Sequence, residues 1–188
     1  GSGSVTVSSA SNELVVSTAA WDEGPAITVA SDLTELWNVE NSGPMSGAAA
    51  AGPGAASVTH TYTSDNTQDW AAGAVPVKPA AASAATAAIA VDAVSTGSAE
   101  EAGSALSLVT VNHTTGTGSD RLMLVGLSFE NDNGGTFSIS SVGYVVNSAT
   151  QALTRLVQRA SSQEAASEIW SLVNPAAGAG TVRVAVSG

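Results

Sequence analysis

Alternation of apolar and polar residues at every second position is the feature that most constrains the fold of this chain. It is clearest over residues 4–8 and 181–187, where valines alternate with small or polar residues. A period of two places successive side chains on opposite faces of a β-strand, so these runs predict half-exposed strands. Residues 106–111 and 121–129 are apolar on both faces, which is typical of strands that are covered on both sides.

The remaining strand-like runs are short, and clusters of Gly, Asn and Ser separate nearly all of them. Helix signals are weak, because the Ala-rich residues 80–88 follow Pro79 without capping residues. The sequence therefore predicts an all-β chain without significant helix, folded as an antiparallel β-sandwich of jelly-roll-like or immunoglobulin-like form. The further predicted strands are residues 13–17, 26–30, 35–39, 57–63, 70–78, 89–95, 139–146, 153–159 and 165–173.

Two segments are predicted to lie outside the strands. Residues 43–56 contain two Pro and four Gly, which break regular structure and favour a long exposed loop. Residues 79–88 are rich in Pro and Ala and are interpreted as a low-complexity linker.

The composition limits both the core and the partners. Aromatic residues are only 4% of the chain, and the hydrophobic 44% is largely Ala and Val, so the core should be thin. Charged residues are 11%, well below the quarter typical of globular domains, which favours an extracellular, secreted β protein. The net charge of −11 would repel nucleic acid and anionic membranes. No apolar run is long enough to predict membrane insertion.

Several short motifs resemble a β-sandwich repeat that occurs in tandem in large bacterial secreted proteins. Residues 121–129 (RLMLVGLSF), 168–175 (EIWSLVNP) and 181–187 (TVRVAVS) are similar to the front half of that repeat. The back half is matched by residues 13–16 (ELVV), 34–38 (TELWN), 55–62 (AASVTHTY) and 69–79 (DWAAGAVPVKP). The resemblance implies a cell-surface or secreted β-sandwich.

The two half-repeats occur here in permuted order. Residues 1–78 resemble the C-terminal half, residues 79–88 join the halves, and residues 89–188 resemble the N-terminal half. The halves could form one sandwich within a chain. Alternatively, each half could complete the half of a neighbour, and repetition of such an unclosed contact would produce a fibre.

The chain has two histidines, His60 and His113, so a Ser/His/Asp triad would need one of them. His60 alternates with Val58 and Tyr62 on one predicted strand face, which favours a neighbour of the core. His113 lies in the turn-like segment NHTTGTGSD. Since no GxSxG motif is present, we expect no enzymatic activity.

Three weaker site predictions concern an ion, a sugar attachment point and a ligand. Glu130, Asp132 and Asn133 resemble the opening of a calcium loop, although the spacing of an EF-hand is not completed. Asn112 opens an N-x-T sequon and is a candidate for glycosylation. Trp21 precedes Asp-Glu-Gly, so it is a candidate loop residue for ligand recognition. No cofactor other than a structural calcium is expected.

A candidate assembly joint lies where the first half ends, at Trp70, Pro76, Lys78 and Pro79. Pro76 cannot donate a backbone hydrogen bond, so its strand should lie at a sheet edge or carry a bulge. An edge strand beside a linker is a place where a neighbouring chain could dock.

The sequence as a whole favours an extracellular structural or adhesive module that joins copies of itself into an array, pilus-like fibre or filament by strand or half-domain exchange. The alternative is a carbohydrate-binding β-sandwich module of a larger secreted protein, with surface glycans as partners. Tryptophans exposed on one face would favour the second interpretation.

Overall fold

The computed structural model describes residues 1–40, 45–79, 89–99, 108–130, 138–160 and 165–187. Within these ranges all regular structure is β, which confirms the all-β prediction. The strands are β1 (Ser2–Val7), β2 (Leu14–Asp22), β3 (Ile27–Val29), β4 (Thr34–Val39), β5 (Met45–Pro53), β6 (Val58–Ser64), β7 (Trp70–Val77), β8 (Leu108–Thr115), β9 (Leu122–Glu130), β10 (Ser138–Val146), β11 (Ala149–Ala152), β12 (Thr154–Ala160), β13 (Ala165–Val173) and β14 (Gly178–Ser187).

The strands form four sheets, with the orders β1-β6-β3, β4-β5-β2-β7, β12-β13-β9 and β11-β10-β14-β8. The pairings for which a register is defined are antiparallel. Several packed antiparallel sheets agree with the predicted β-sandwich class. Over the described ranges, no helix has the length and apolar character needed to cross a bilayer.

The chain forms two compact units. The first consists of residues 1–90 together with residues 126–133 and 156–169. The second consists of residues 91–125, 134–155 and 170–188. Each unit therefore contains stretches that are distant in sequence.

The first unit is built around the sheet β4-β5-β2-β7, whose strand β2 pairs with β5 on one side and with β7 on the other. Alternate residues of this sheet pack against the sheet β1-β6-β3. The resulting cluster contains Ala19, Trp21, Ile27, Ala48, Ala50, Tyr62 and Ala72. The residues between them, including Ala20, Ala49, Ala51 and Ala71, are also buried. Both faces of the central sheet are therefore covered.

The second unit contains the sheet β11-β10-β14-β8, with a core that includes Val142, Tyr144, Val182 and Val184. A two-residue turn, Asn147–Ser148, joins β10 to β11, and both residues have positive φ (48° and 66°). Such a turn matches the right-handed twist of the strands that it connects. This turn explains why β11, which the periodicity did not predict, follows β10 directly.

The predictions for residues 43–56 and 89–95 are wrong. The exposed loop predicted at residues 43–56 is a strand over most of its described part, because Met45–Pro53 forms β5 in the middle of the central sheet. Its Gly and Ala residues fit where facing layers leave little room. The strand predicted at residues 89–95 is absent, since residues 89–99 have no regular structure.

Candidate functional site

The feature that most distinguishes the first unit is the way its central sheet is covered by residues from far along the chain. The Ser128 hydroxyl donates a hydrogen bond to the carbonyl oxygen of Ala19 at 2.9 Å. The Ser167 hydroxyl donates to the carbonyl oxygen of Thr18 at 3.3 Å. Ser128 and Ser167 thus bind the backbone of β2 through side chains that reach across the layers.

Small residues permit this close approach. A Cβ atom placed on Gly47 would lie 2.8 Å from Ser128 Cβ, and one placed on Gly73 would lie 3.1 Å from Val157 Cγ1. The first distance is too short for real atoms, so a side chain at Gly47 would push the layers apart. Gly47 and Gly73 therefore shape the face of the central sheet that receives the distant segments.

On the opposite face of the same sheet, three polar side chains form a buried cluster. Ser17 Oγ lies 2.6 Å from His60 Nδ1 and 2.6 Å from Tyr62 Oη. All three side chains are fully buried. His60 Nε2 has no hydrogen-bond partner within the described ranges.

Burial sets the protonation of this cluster. It lowers the pKa of His60 below its usual 6.5, and the carboxylate of Asp32 opposes that change. Burial also raises the pKa of Tyr62 to about 12, against the effect of hydrogen bonds with Ser17 and the backbone of Ala50. The cluster is therefore neutral at pH 7. The prediction of His60 as a neighbour of the core agrees with this position.

Trp21 does not lie in a loop, so that part of the prediction is wrong. It belongs to β2, is 0% exposed and stacks on Trp70 with ring centroids 5.7 Å apart and an interplanar angle of 22°. A fully buried indole has no free face for a ligand. The apolar residues that precede Trp21 extend β2 through it, which the predicted strand end at residue 17 missed.

The predicted assembly joint lies along and just after strand β7. β7 is the last strand in its sheet, which confirms the edge position predicted from Pro76. Trp70 is 36% exposed. The ammonium group of Lys78 lies 3.9 Å from a carboxylate oxygen of Glu13, and Pro79 follows the strand end. The remaining linker residues, 80–88, lie outside the described residues.

The calcium prediction falls mostly outside the described residues. Glu130 ends β9 and is half-buried, whereas Asp132 and Asn133 are not described. No group of three acidic or histidine side chains among the described residues could hold a metal ion. The calcium site therefore stays a prediction.

Asn112 and His113 lie on β8, so the turn predicted around His113 is wrong. Asn112 is exposed, and its Oδ1 atom accepts a hydrogen bond from the Thr181 hydroxyl at 3.2 Å. His113 Nδ1 lies 3.0 Å from Ser95 Oγ. These residues line an open groove of about 550 Å³. Glycosylation of Asn112 stays a prediction.

Sequence reasoning missed the covered face around Gly47 and Gly73 and the part of Ser17 in the buried cluster. The alternation of His60 and Tyr62 was a sign that both share one face, but their partner lies 43 residues earlier. No protein-family model, curated protein or solved structure gave a match to this chain. Its function therefore has to be inferred from its own residues.

Proposed function

We propose that this chain is an extracellular structural module that joins further copies of itself by exchanging segments of the chain. The proposal rests on which segments of the chain make up the first unit. Residues 1–90 form a compact unit together with residues 126–133 and 156–169. The segments that cover the central sheet are therefore far along the chain from the strands of that sheet.

Exchange of such segments requires no contacts other than those that already exist within one chain. A copy of segment 156–169 from a neighbouring chain would make the same contacts with Thr18 and Gly73 as the chain's own segment. Exchange of identical elements is a low-cost route to association, and it produces filaments when the contact does not close on itself. β7 is the last described strand of its sheet, and such an edge strand offers a second place for association.

Composition and chemistry agree with a structural, extracellular role. Charged residues make up 11% of the chain, far below the usual quarter. The hydroxyl of Ser17 is engaged with His60 and Tyr62 in a fully buried cluster, where it stabilises the core rather than meeting a substrate. We therefore favour assembly over catalysis.

The carbohydrate-binding alternative has weaker support. Flat sugar rings bind to exposed aromatic faces, and Trp21 has none. Trp70 is partly exposed, but Trp21 covers one of its faces. Trp70 alone is a small platform for a glycan.

Engineered cysteines test the exchange directly, because the natural chain has none. A Cβ atom placed on Gly73 lies 4.0 Å from Val157 Cβ, within the range of about 3.5–4.5 Å found in disulfides. Gly73→Cys and Val157→Cys single variants are mixed, refolded together from urea and oxidised. We expect disulfide-linked dimers of the two variants on non-reducing gels.

The matched control replaces Val157→Cys with Ala152→Cys, an exposed strand position. If dimers form no more often with Val157→Cys than with Ala152→Cys, segment exchange does not occur and the proposal is wrong. The Gly73→Cys/Val157→Cys double variant should form its disulfide within one chain. Light scattering should then show smaller assemblies for the oxidised double variant than for the natural chain.

A further inference from the structure

Residues 89–99, here called the strap, have no regular structure, yet they follow β8 in a constant antiparallel register. Ser95 Oγ lies 3.0 Å from His113 Nδ1. A Cβ atom on Gly97 would lie 3.7 Å from Val111 Cβ, and one on Gly116 would lie 2.5 Å from Asp92 Oδ2. Moving two residues back along the strap, from Gly97 to Ser95, corresponds to moving two residues forward along β8, from Val111 to His113.

The same register continues further along both segments. Asp92 is three residues before Ser95, and its partner Gly116 is three residues after His113. Residues that face each other in this order are the cross-strand pairs of an antiparallel ladder. The strap is therefore aligned as a strand would be.

The ladder itself is not formed. Among the strands that the structure describes, β8 is the last of its sheet and pairs with β14 alone. No backbone hydrogen bond joins the strap to β8 among the described residues. Since unpaired strand edges readily accept another strand, β8 retains an acceptor edge next to the strap.

The strap is also weakly held. Val91 and Val94 are 50% and 46% exposed, and Ser95–His113 is the strap's one hydrogen bond within the described ranges. Segments with few buried contacts and few hydrogen bonds open at low free energy. The strap can therefore leave β8 without disturbing the core of its unit.

We infer that the edge of β8 is a strand-acceptor site and that its occupant in an assembly is the strap of a second copy. The strap of another chain carries the same Gly97, which leaves room for Val111, and the same Ser95, which meets His113. This second joint deepens the proposed self-assembly and uses residues different from Gly73 and Val157. The two joints can therefore succeed or fail separately.

A labelled peptide of residues 89–99 tests the acceptor site on the full chain. The chain carries Gly97→Val, because a side chain there meets Val111 Cγ2 at 2.7 Å and weakens the chain's own strap. We expect fluorescence anisotropy to show the natural peptide binding this variant at least about tenfold more tightly than a peptide with the same Gly97→Val change. Equal binding of the two peptides, or binding of neither, would overturn the inference.

Disulfide exchange provides a second measurement that does not depend on the Gly97→Val chain. Gly97→Cys and Val111→Cys single variants are mixed and oxidised, since their Cβ separation fits a disulfide. The control pair is Gly97→Cys with Ala152→Cys. A higher yield of mixed dimers than in this control supports strap exchange, and an equal yield refutes it. Loss of this cross-link with retention of the Gly73–Val157 cross-link would refute the strap joint alone.

Discussion

Ser17 is the polar centre of the first unit's core, and its hydroxyl has one proton to share between two buried partners. It lies 2.6 Å from both His60 Nδ1 and Tyr62 Oη. It can donate to one and accept from the other, and the Tyr62 hydroxyl has a second hydrogen bond with the backbone of Ala50. These contacts tie β2 to β6 in the facing sheet, because a shift of β2 by one residue against β5 and β7 would turn Ser17 to the opposite face.

Ser17→Ala should therefore cost more stability than Tyr62→Phe. The first change leaves His60 Nδ1 buried without its partner, at a cost of about 1–3 kcal/mol, and it also removes one of the two hydrogen bonds of the Tyr62 hydroxyl. The second change removes the Tyr62 hydroxyl but keeps the contact between Ser17 and His60. We expect the free energy of unfolding, measured in urea, to fall by about 3 kcal/mol for Ser17→Ala and by about 1 kcal/mol for Tyr62→Phe. Equal losses would contradict the shared role of Ser17.

His60 should make the stability of the chain depend on pH. Its pKa is lowered in the folded state by burial, which Asp32 only partly opposes, so the unfolded chain takes up a proton near pH 6.5 before the folded chain does. Stability is complete above that pH and decreases as the pH falls through it. We expect the free energy of unfolding to fall measurably between about pH 7.5 and about pH 5.5.

The two histidines of the chain provide a matched pair of variants for this measurement. His60→Asn should abolish the decrease, while His113→Asn should retain it. Carboxylates with ordinary pKa values near 4 contribute mainly below this range. A decrease that persists unchanged in His60→Asn would assign the pH dependence to another group.

Among the elements, β5 shows how close packing decides structure against local propensity. Gly, Pro and Ala are poor strand formers, and the Gly and Pro residues around β5 predict an exposed loop. In the fold, β5 lies between β4 and β2, and its residues Ala48 to Ala51 are buried on both faces. Small side chains are what a strand needs when a layer packs closely on each side.

The strands that the sequence predicted correctly carry β-branched or aromatic residues, as in residues 165–173, whose bounds are those of β13. β5 could not be predicted, because its strand character depends on layers supplied by distant residues such as Ser128. The buried cluster was predictable in part. Alternation placed His60 and Tyr62 on one face, but the position of Ser17 depends on sheet packing that no local pattern encodes.

Ala50 offers a test of this packing. Its side chain is fully buried in the core cluster, so Ala50→Leu should force neighbouring side chains from their preferred rotamers. Such overpacking costs about 1–3 kcal/mol, which urea denaturation would reveal as a lower midpoint. The same substitution at the exposed strand residue Ala152 should change stability by less than about 0.5 kcal/mol. Similar effects at both positions would contradict a closely packed central sheet.

On the scale of the whole molecule, the half-repeats inferred from sequence do not coincide with the compact units. The first unit takes residues 126–133 and 156–169 from the second half-repeat. On the face of the central sheet that those residues cover, Thr18 lies opposite Ala49 and Gly73 in the paired strands. Without those segments, a buried apolar face would be exposed to water, which favours aggregation or capture of a substitute.

A two-fragment experiment follows from this dependence. Fragments 1–79 and 89–188 should each be less stable than the whole chain, and mixing them should restore its fold, because segments 126–133 and 156–169 reach the central sheet without a covalent link. The near-UV circular dichroism signal of the stacked Trp21 and Trp70 pair should increase as the second fragment is added. It should reach its maximum at a 1:1 ratio of the two fragments. As a control, Gly47→Val in the first fragment should prevent recovery, because its Cβ would lie 2.8 Å from Ser128 Cβ. A mixture spectrum equal to the sum of the separate spectra would show that one half cannot complete another in trans.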